Sequence, residues 1–189
     1  DLGLASRPHV VARVRHPAAD IIEISLRPLA RPLAVRPGQF VLAAFHDGPD
    51  FRGCGEFHPY TVSAVAADGE IALGIKALGD CTRHLQTLVP DVAARIEGPF
   101  GDFLNERPAG PELWLAGGIG ITPFLGLLRS GPLPHPVRLI YLHRNEDDSA
   151  FRDEITTLAE AQPRLALDVI ACGDQLPDLA ALLPAPAEL

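Results

Sequence analysis

The segment Leu115–Leu125, LAGGIGITPFL, carries the clearest pattern in this sequence. An apolar run that ends at Ala116 is typical of a buried parallel strand, and the glycines after it indicate a tight turn. Thr122 is a common helix N-cap residue, and Pro123 suits the first helical turn, where a missing N–H loses no bond. The N–H groups at such a helix start favour a phosphate, so the segment predicts a phosphate-binding turn. A turn without a ligand is the alternative, since Pro123 replaces the last glycine of the G-x-G-x-x-G pattern.

The residues after this segment alternate between short apolar runs and helical patterns. VRLIYLHR and RLALDVIA are further candidates for buried strands. SAFRDEITTLAEAQP has apolar residues at helical spacing, and LPDLAALLP is a candidate third helix. The order β-α-β-α-β-α predicts the start of a doubly wound parallel sheet over residues 109–189.

The residues up to Pro108 follow a different pattern, made of short strands and turns. HVVARVRH, IIEISLRP and HPYTVSAV contain β-branched residues in alternation, and ADGE is a hairpin-type turn. GDCTRHLQTLV is the exception, because its apolar residues at 85, 88 and 89 indicate a short helix. About six antiparallel strands and one helix predict a small β-barrel over residues 1–108.

Composition narrows the possible functions. The chain has 189 residues and a formal net charge of −8, which argues against a nucleic-acid partner. The cysteines Cys54, Cys81 and Cys172 look too few and too scattered for a disulfide framework or a zinc site, and they indicate a reducing compartment. The dispersed histidines show no ligand spacing, so no metal is expected. The longest uncharged run is shorter than the ~20 residues that cross a bilayer, so the chain itself is expected to be soluble.

Two stretches of the first half stand out from ordinary barrel sequence. The first is HPYT, residues 58–61, where a proline near the start of a strand is followed by an aromatic and a hydroxyl side chain. The second is GIKALGDCTRHL, where a strand again runs into a helix. Asp80 or Thr82 would simply cap that helix. Alternatively, Gly79–Thr82 forms a second pyrophosphate site.

Taken in order, several segments of the chain resemble the ferredoxin–NADP reductase superfamily. They are RPGQF, HPYTVS, IKALGDCT, EGPFG, GGIGITP and the HR…FRDEI segment. Within this superfamily, HPYT is similar to the His-Pro-Phe-Thr motif of the ferric reductase and NADPH oxidase branch, whereas other branches carry an arginine where His58 stands. The resemblance spans nearly the whole chain. It implies an FAD-binding barrel and a nicotinamide-nucleotide-binding half that pass a hydride from NAD(P)H to FAD and then single electrons to a haem or metal acceptor.

The resemblance also implies which residues of the first half contact FAD. Tyr60 would lie against the isoalloxazine face and Thr61 would hydrogen-bond near flavin N5, which makes them the candidate catalytic residues. His58 would approach the diphosphate, as a weaker anchor than arginine because it lacks the bidentate fork. The implied FAD-binding residues are His58, Pro59, Tyr60, Thr61, Val62, Ser63, Ile75, Lys76, Gly79, Asp80, Cys81 and Thr82.

In the second half, the resemblance implies a site for NADPH or NADH. The implied residues are Gly117, Gly118, Gly120, Ile121, Thr122, Pro123, His143 and Arg144. Arg144 would pair with a 2′-phosphate and so favour NADPH. It is an ordinary surface arginine if it pairs with Glu146 or Asp147, and these acids would suit NADH instead.

The resemblance finally implies a partner domain and a location for the chain. Relatives with this motif usually follow a haem-binding transmembrane domain. We therefore expect a haem partner, with this domain on the cytoplasmic face of a membrane or otherwise in the cytoplasm. The family continues through a further strand that ends in a Cys-Gly-Pro-like segment, and Cys172, which closes the third strand, comes too early to be that cysteine. The nucleotide half is therefore expected to be incomplete. Two alternatives remain: a soluble reductase component for an iron–sulfur protein or oxygenase, and a non-catalytic flavin-binding module.

Overall fold

Six antiparallel strands close into a barrel in the computed structural model, which describes residues 6–104, 107, 109–175 and 177–182. The strands are β1 (Arg7–Ala18), β2 (Ile21–Pro28), β3 (Phe40–Phe45), β4 (His58–Val65), β5 (Ile71–Lys76) and β6 (Ala93–Phe100). They pair in the order β1-β2-β5-β4-β3-β6, and β1 pairs with β6 to close the barrel. The predicted β-barrel is confirmed.

Side-chain alternation along β2 builds the core of the barrel. Ile22, Ile24 and Leu26 are fully buried inside it. Ile21 is also fully buried, but it belongs to the hydrophobic cluster of the second half. The two cores therefore meet at one end of β2.

The predicted short helix lies between β5 and β6. It consists of α1 (Asp80–His84) and a following 3-10 turn, Leu85–Thr87. Leu85 is fully buried in the barrel core, together with Leu88 just after the turn. These two apolar side chains hold α1 against the barrel.

The second half contains a parallel sheet with helices between its strands. The strands β7 (Glu112–Gly117), β8 (Val137–His143) and β9 (Leu165–Ala171) pair in that order. The helices are α2 (Thr122–Ser130), α3 (Arg152–Ala161) and α4 (Leu179–Leu182). The predicted order is confirmed, while residue 108, the expected domain boundary, lies outside the described residues. No helix in the described part of the chain is long and apolar enough to cross a bilayer.

The two halves pack where α2 lies along β4 and β5. A β-carbon on Gly126 of α2 would stand 3.0 Å from the carbonyl oxygen of Val62 in β4. At the start of the helix, a β-carbon on Gly74 of β5 would stand 2.7 Å from Cγ2 of Thr122. The two glycines therefore allow the close approach of helix and barrel.

Four side chains of alternating charge connect the same surfaces. Arg129 of α2 pairs with Glu23 of β2 at 2.7 Å and with Glu154 of α3 at 2.6 Å. Arg15 of β1 pairs with the same two carboxylates, at 2.5 and 2.7 Å. We call these four residues the charge network. It joins the barrel to both long helices of the second half.

Candidate functional site

The HPYT motif forms the first half of β4. His58, Pro59 and Tyr60 pair with residues of β3, whereas the pairing of β4 with β5 begins only at Val62. Pro59 therefore has no partner on β5 that would require an N–H, which explains how proline is accommodated in this strand. The prediction of a strand start at His58 is confirmed.

Two buried polar atoms of this motif lack a partner. Within the described residues, Tyr60 Oη and His58 Nε2 make no hydrogen bond. Tyr60 is 7% exposed, and burial raises the pKa of its phenol to about 12. His58 Nε2 lies 3.6 Å from the Glu56 carboxylate, which is beyond hydrogen-bonding distance. Buried polar atoms are nearly always paired, so both side chains fit contacts to a ligand such as FAD.

Thr61 and Ser63 occupy the opposite face of the strand from Tyr60 and Val62. Thr61 is half-buried, which leaves part of it accessible. Ser63 is fully buried, and its hydroxyl donates to Glu23 Oε1 at 2.6 Å. Val62 and Ile75 are buried in the barrel core. Burial therefore leaves little of the Val62, Ser63 and Ile75 side chains available for the predicted contact with FAD.

The start of α1 is organised by Thr82. Its hydroxyl accepts hydrogen bonds from the N–H groups of Leu78 and Gly79, both at 2.9 Å, and donates to the carbonyl of Gly79. The capping alternative is thus confirmed for Thr82. Asp80 does not cap: it is exposed and lies 3.4 Å from Arg83. The Gly79 N–H and the Thr82 hydroxyl are engaged with each other, so a pyrophosphate here would have to use the remaining N–H groups of the first turn.

The cysteine prediction is wrong for one pair. Cys54, in the loop between β3 and β4, is joined by a disulfide to Cys81 of α1, with the Cα atoms 6.2 Å apart. The two residues are 27 positions apart in sequence. Only the packing of α1 over this loop brings them together, so the spacing of the cysteines in the sequence did not indicate a disulfide. The resemblance places Cys81 at the FAD pyrophosphate, but its sulfur is bonded to Cys54.

The glycine turn between β7 and α2 has an open backbone. It is a 3-10 turn, Gly118–Ile121, that follows Gly117 directly. A β-carbon on Gly117, Gly118 or Gly120 would meet nothing within 4 Å, and Gly118 has a φ of +49° that favours glycine. These three glycines therefore leave room for the close approach of a ligand.

The residues after these glycines face the interior. Ile121 is fully buried and Thr122 is 3% exposed. Ile121 occupies the N-cap position, and the Thr122 hydroxyl donates to the carbonyl of Ile119 at 3.0 Å, so the prediction that Thr122 caps α2 is wrong. The cause is the 3-10 turn, which already supplies that carbonyl. Pro123 does lie in the first helical turn. A nucleotide contact through the Ile121 and Thr122 side chains is therefore disfavoured.

A cleft of about 270 Å³ opens beside this turn. Lys76, Gly117, Gly118, His143 and Arg144 line it, together with Leu142, Asp148, Cys172, Gly173 and Asp174. The cleft thus brings together four of the eight predicted nucleotide residues, Gly117, Gly118, His143 and Arg144. It also includes Lys76, which the resemblance places at FAD.

The charged groups in this cleft are paired with acids. Lys76 Nζ lies 3.0 Å from Asp148 and 3.4 Å from Asp20. Arg144 is 63% exposed, 3.5 Å from Asp174 and 3.9 Å from Asp148, while Glu146 contacts Arg152 instead. The suggested pairing of Arg144 with Glu146 is therefore wrong. The sequence pattern did not indicate Asp148, which meets Lys76 only through the fold.

His143 is held differently from Arg144. It is 3% exposed, and its Nδ1 lies 2.8 Å from the carbonyl oxygen of Asn145. Its own carbonyl accepts from the N–H of Cys172 at 2.9 Å. His143 therefore fixes the end of β8, whereas the exposed Arg144 remains accessible to an anion.

Comparison with known proteins agrees with this arrangement. Residues 7–132 match a family model described as an FAD-binding domain. A flavohemoprotein of a Burkholderia species is 32% identical over 167 residues, which cover 85% of this chain and 41% of that protein. Methane monooxygenase component C of Methylosinus trichosporium is 30% identical over 159 residues, covering 77% and 45%. The chain thus spans less than half the length of these relatives.

A solved structure shows the same fold. It is the flavohem-like FAD/NAD binding domain of nitric oxide dioxygenase from Vibrio cholerae, with a TM-score of 0.75 and 22% identity. The likeness covers 96% of this chain and 83% of that one. The expected cofactors, FAD and a nicotinamide nucleotide, are confirmed for the family. This chain belongs to the FAD-binding domain family whose model matches residues 7–132.

Proposed function

We propose that this chain is the reductase domain of an electron-transfer system, passing a hydride from NAD(P)H to FAD and then single electrons to a haem or iron–sulfur acceptor. Bound FAD supplies the chemistry that turns a two-electron donor into a source of single electrons. The names of two relatives support this choice of acceptor. One is a flavohemoprotein, and another is the ferredoxin–NAD(P)+ reductase component of naphthalene dioxygenase and salicylate hydroxylase systems in Ralstonia.

One observation carries the proposal: the glycine turn of the second half meets the barrel beside the HPYT strand. Positions 119 and 122 contact Gly74 of β5, where an added β-carbon would lie 3.2 Å from Ile119 Cδ1 and 2.7 Å from Thr122 Cγ2. Gly74 lies one position beyond the Val62–Leu73 pair, in the direction of Thr61. This proximity supports a nicotinamide site next to a flavin site.

The side chains have separate tasks in the proposal. Tyr60 offers an aromatic face and a protonated hydroxyl, because its pKa is raised to about 12. Thr61 donates a hydrogen bond next to the reacting flavin atom. His58 contacts the diphosphate of FAD, and the exposed Arg144 contacts the adenosine end of the nucleotide. Arg144 supports NADPH, since a guanidinium binds a 2′-phosphate in bidentate fashion.

A flavin titration tests the proposal. The chain is mixed with FAD, freed of excess flavin, and treated with NADPH or NADH under nitrogen. Bleaching of the flavin absorbance is expected, faster with NADPH, followed by reoxidation with a one-electron acceptor such as cytochrome c. Arg144→Ala should raise KM for NADPH more than KM for NADH, while Arg138→Ala, on the strand that Arg144 follows, is the control. Bound flavin that no nicotinamide nucleotide reduces would instead support a non-catalytic flavin-binding module.

A second candidate is a ferric reductase or NADPH oxidase-like domain with a membrane haem partner. The histidine at position 58 favours it, because the resemblance places an arginine there in other branches. This candidate predicts efficient reduction of an Fe(III) chelate and slow reduction of a [2Fe–2S] ferredoxin. It also predicts hydrophobic helices with paired histidines in the intact reading frame. The opposite acceptor preference would favour the oxygenase-type reductase.

A further inference from the structure

Three side chains with metal-binding atoms meet at the start of β4. One ligand atom from each of Cys54, His58 and Cys81 lies within 4.8 Å of the other two. The two cysteines come from the β3–β4 loop and from α1, and they form the disulfide described above. We propose that, after reduction of this disulfide, the three residues bind one Zn²⁺ ion, and that the disulfide is the metal-free form of the same site.

The ligand set suits this ion. Two thiolates and one imidazole form a combination that zinc accepts, and soft sulfur ligands disfavour magnesium and calcium. Zinc lies about 2.3 Å from sulfur and about 2.0 Å from nitrogen, so its ligand atoms stand roughly 3–4 Å apart. The spacing in the structure therefore requires only small movements. Two thiolates also balance the charge of the ion, so no net charge is buried.

His58 supplies an independent observation. Its Nε2 is buried and without a hydrogen-bond partner among the described residues. The Glu56 carboxylate, at 3.6 Å, adds negative charge beside the imidazole. Coordination of a cation by this ring would satisfy a polar atom that the barrel leaves unpaired.

The loop that carries Cys54 is held in place by contacts other than the disulfide. Phe51 stacks on His84 of α1, with the ring centroids 5.0 Å apart. A ring nitrogen of His84 also contacts the carbonyl oxygen of Arg52. Reduction therefore leaves the loop against α1, and the two thiols remain next to each other.

Opening the disulfide needs a two-electron reductant, which an external dithiol supplies. A dithiol transfers two electrons and two protons to the Cys54–Cys81 disulfide, giving two thiols while the dithiol itself becomes a disulfide. Zinc binding then releases the two thiol protons. An occupied site engages the imidazole of His58, so Zn²⁺ and the diphosphate of FAD should compete for it. This competition rests on the proposed function, whereas the metal site does not.

A titration with Co²⁺ and Zn²⁺ tests the site in the full chain. Thiol titration should count one free thiol, Cys172, in air-oxidised protein and three after reduction. The reduced chain should bind one Co²⁺ with a thiolate-to-cobalt absorption band, which Zn²⁺ then removes. Air-oxidised wild-type protein should give no band. This comparison needs no variant, so it stands even if a substituted chain fails to fold.

Variants assign the ligands. Cys54→Ser and Cys81→Ser should abolish the band. His58→Ala should weaken Co²⁺ binding by more than the ~10–100-fold typical of losing an outer-shell partner. Cys172→Ser is the matched control and should keep the band. A fully reduced chain without a band, or a band that depends on Cys172, would overturn the proposal.

FAD titration of the same samples separates the two proposals. Zinc binding without any FAD binding would contradict the proposed function and leave the metal site standing. FAD binding without Co²⁺ or Zn²⁺ binding would contradict the metal site and leave the proposed function standing. Binding of both, with the apparent FAD affinity falling as Zn²⁺ is added, is the result expected if both proposals hold.

Discussion

The guanidinium of Arg129 donates a hydrogen bond to the carbonyl oxygen of Ser63 at 3.0 Å. Ser63 belongs to the strand that carries the HPYT motif, whereas Arg129 lies near the end of the helix that follows the glycine turn. The same guanidinium pairs with Glu23, and the two side chains are only 15% and 7% exposed. The second half of the chain therefore holds the HPYT strand through a buried charged contact.

Arg129→Ala should lower the free energy of unfolding by ~1.5–3 kcal/mol, because the buried Glu23 would keep only Arg15, whose side chain is 46% exposed, as its counter-charge. Urea unfolding followed by circular dichroism measures this loss. The matched control is Arg138→Ala, whose pair with Asp168 is 42% exposed on both sides and should contribute only ~0–1 kcal/mol. Equal losses in the two variants would contradict the importance of the charge network.

Glu154 should give the fold an acid-sensitive component. Burial acts to raise the pKa of this carboxyl, but hydrogen bonds from Arg129 and Arg15 outweigh it and hold the pKa below its usual value of 4.5. A carboxyl with a lowered pKa stabilises the fold above its unfolded-state pKa, and this stabilisation is lost as the pH falls through the folded-state pKa. The free energy of unfolding should therefore decline below about pH 4.5. Glu154→Gln should flatten that decline, and the exposed Glu160→Gln should not.

Tyr60→Phe should act in opposite directions on the fold and on flavin binding. Removing a buried hydroxyl without a partner should raise the unfolding free energy of the FAD-free chain by ~1 kcal/mol. If the hydroxyl contacts FAD, the same change should weaken FAD binding about three- to tenfold. Tyr141→Phe is the control, because that hydroxyl donates to the carbonyl of Ala150 at 3.0 Å and its loss should destabilise the chain. Destabilisation by both variants would refute this view of Tyr60.

His58→Arg should tighten FAD binding at pH 8. An arginine stays charged at that pH and offers a bidentate contact to a diphosphate, whereas histidine offers a single ring nitrogen. Fluorescence titration of FAD into both chains at pH 8 measures the difference in affinity. An unchanged affinity at pH 8 would show that residue 58 does not contact the diphosphate.

Gly120→Ala and Gly74→Ala should distinguish an effect on nucleotide binding from an effect on the packing of the two halves. An added β-carbon at Gly120 meets nothing within 4 Å, so stability should be retained while KM for NADPH rises. At Gly74 the β-carbon would stand 2.7 Å from Thr122, and overpacking should destabilise the chain by ~1–3 kcal/mol. Thermal unfolding and steady-state kinetics on both variants check the pair. A Gly120→Ala variant with unchanged KM would remove this glycine from the nucleotide site.

The pattern of apolar and polar residues predicted the order of strands and helices because a few consecutive residues suffice to indicate each element. Alternation in β4 and the strand–glycine–helix order around Gly118 needed no knowledge of the rest of the chain. The details at element ends were less predictable. Thr122 is a good N-cap by residue type, but the preceding 3-10 turn offers it the carbonyl of Ile119 instead.

Contacts between residues far apart in the sequence were not predicted, for a different reason. Arg15 and Glu154 are paired at 2.7 Å although they are 139 positions apart. Cys54 and Cys81 meet only because α1 docks on the loop before β4. No periodicity or spacing records such contacts. They depend on the three-dimensional fold, which brings together residues that are distant in the sequence.

The length of α2 has a consequence for engineering. Its nine residues span roughly 13 Å at 1.5 Å per residue, with the glycine turn at one end and the Arg129 contact at the other. Inserting or deleting one residue would rotate everything beyond it by about 100° and turn Arg129 away from Glu23. A chimera that grafts the second half of a related protein onto this barrel should therefore preserve the spacing between the glycine turn and the arginine. The helix fixes both the distance and the rotation between the glycine turn and Arg129.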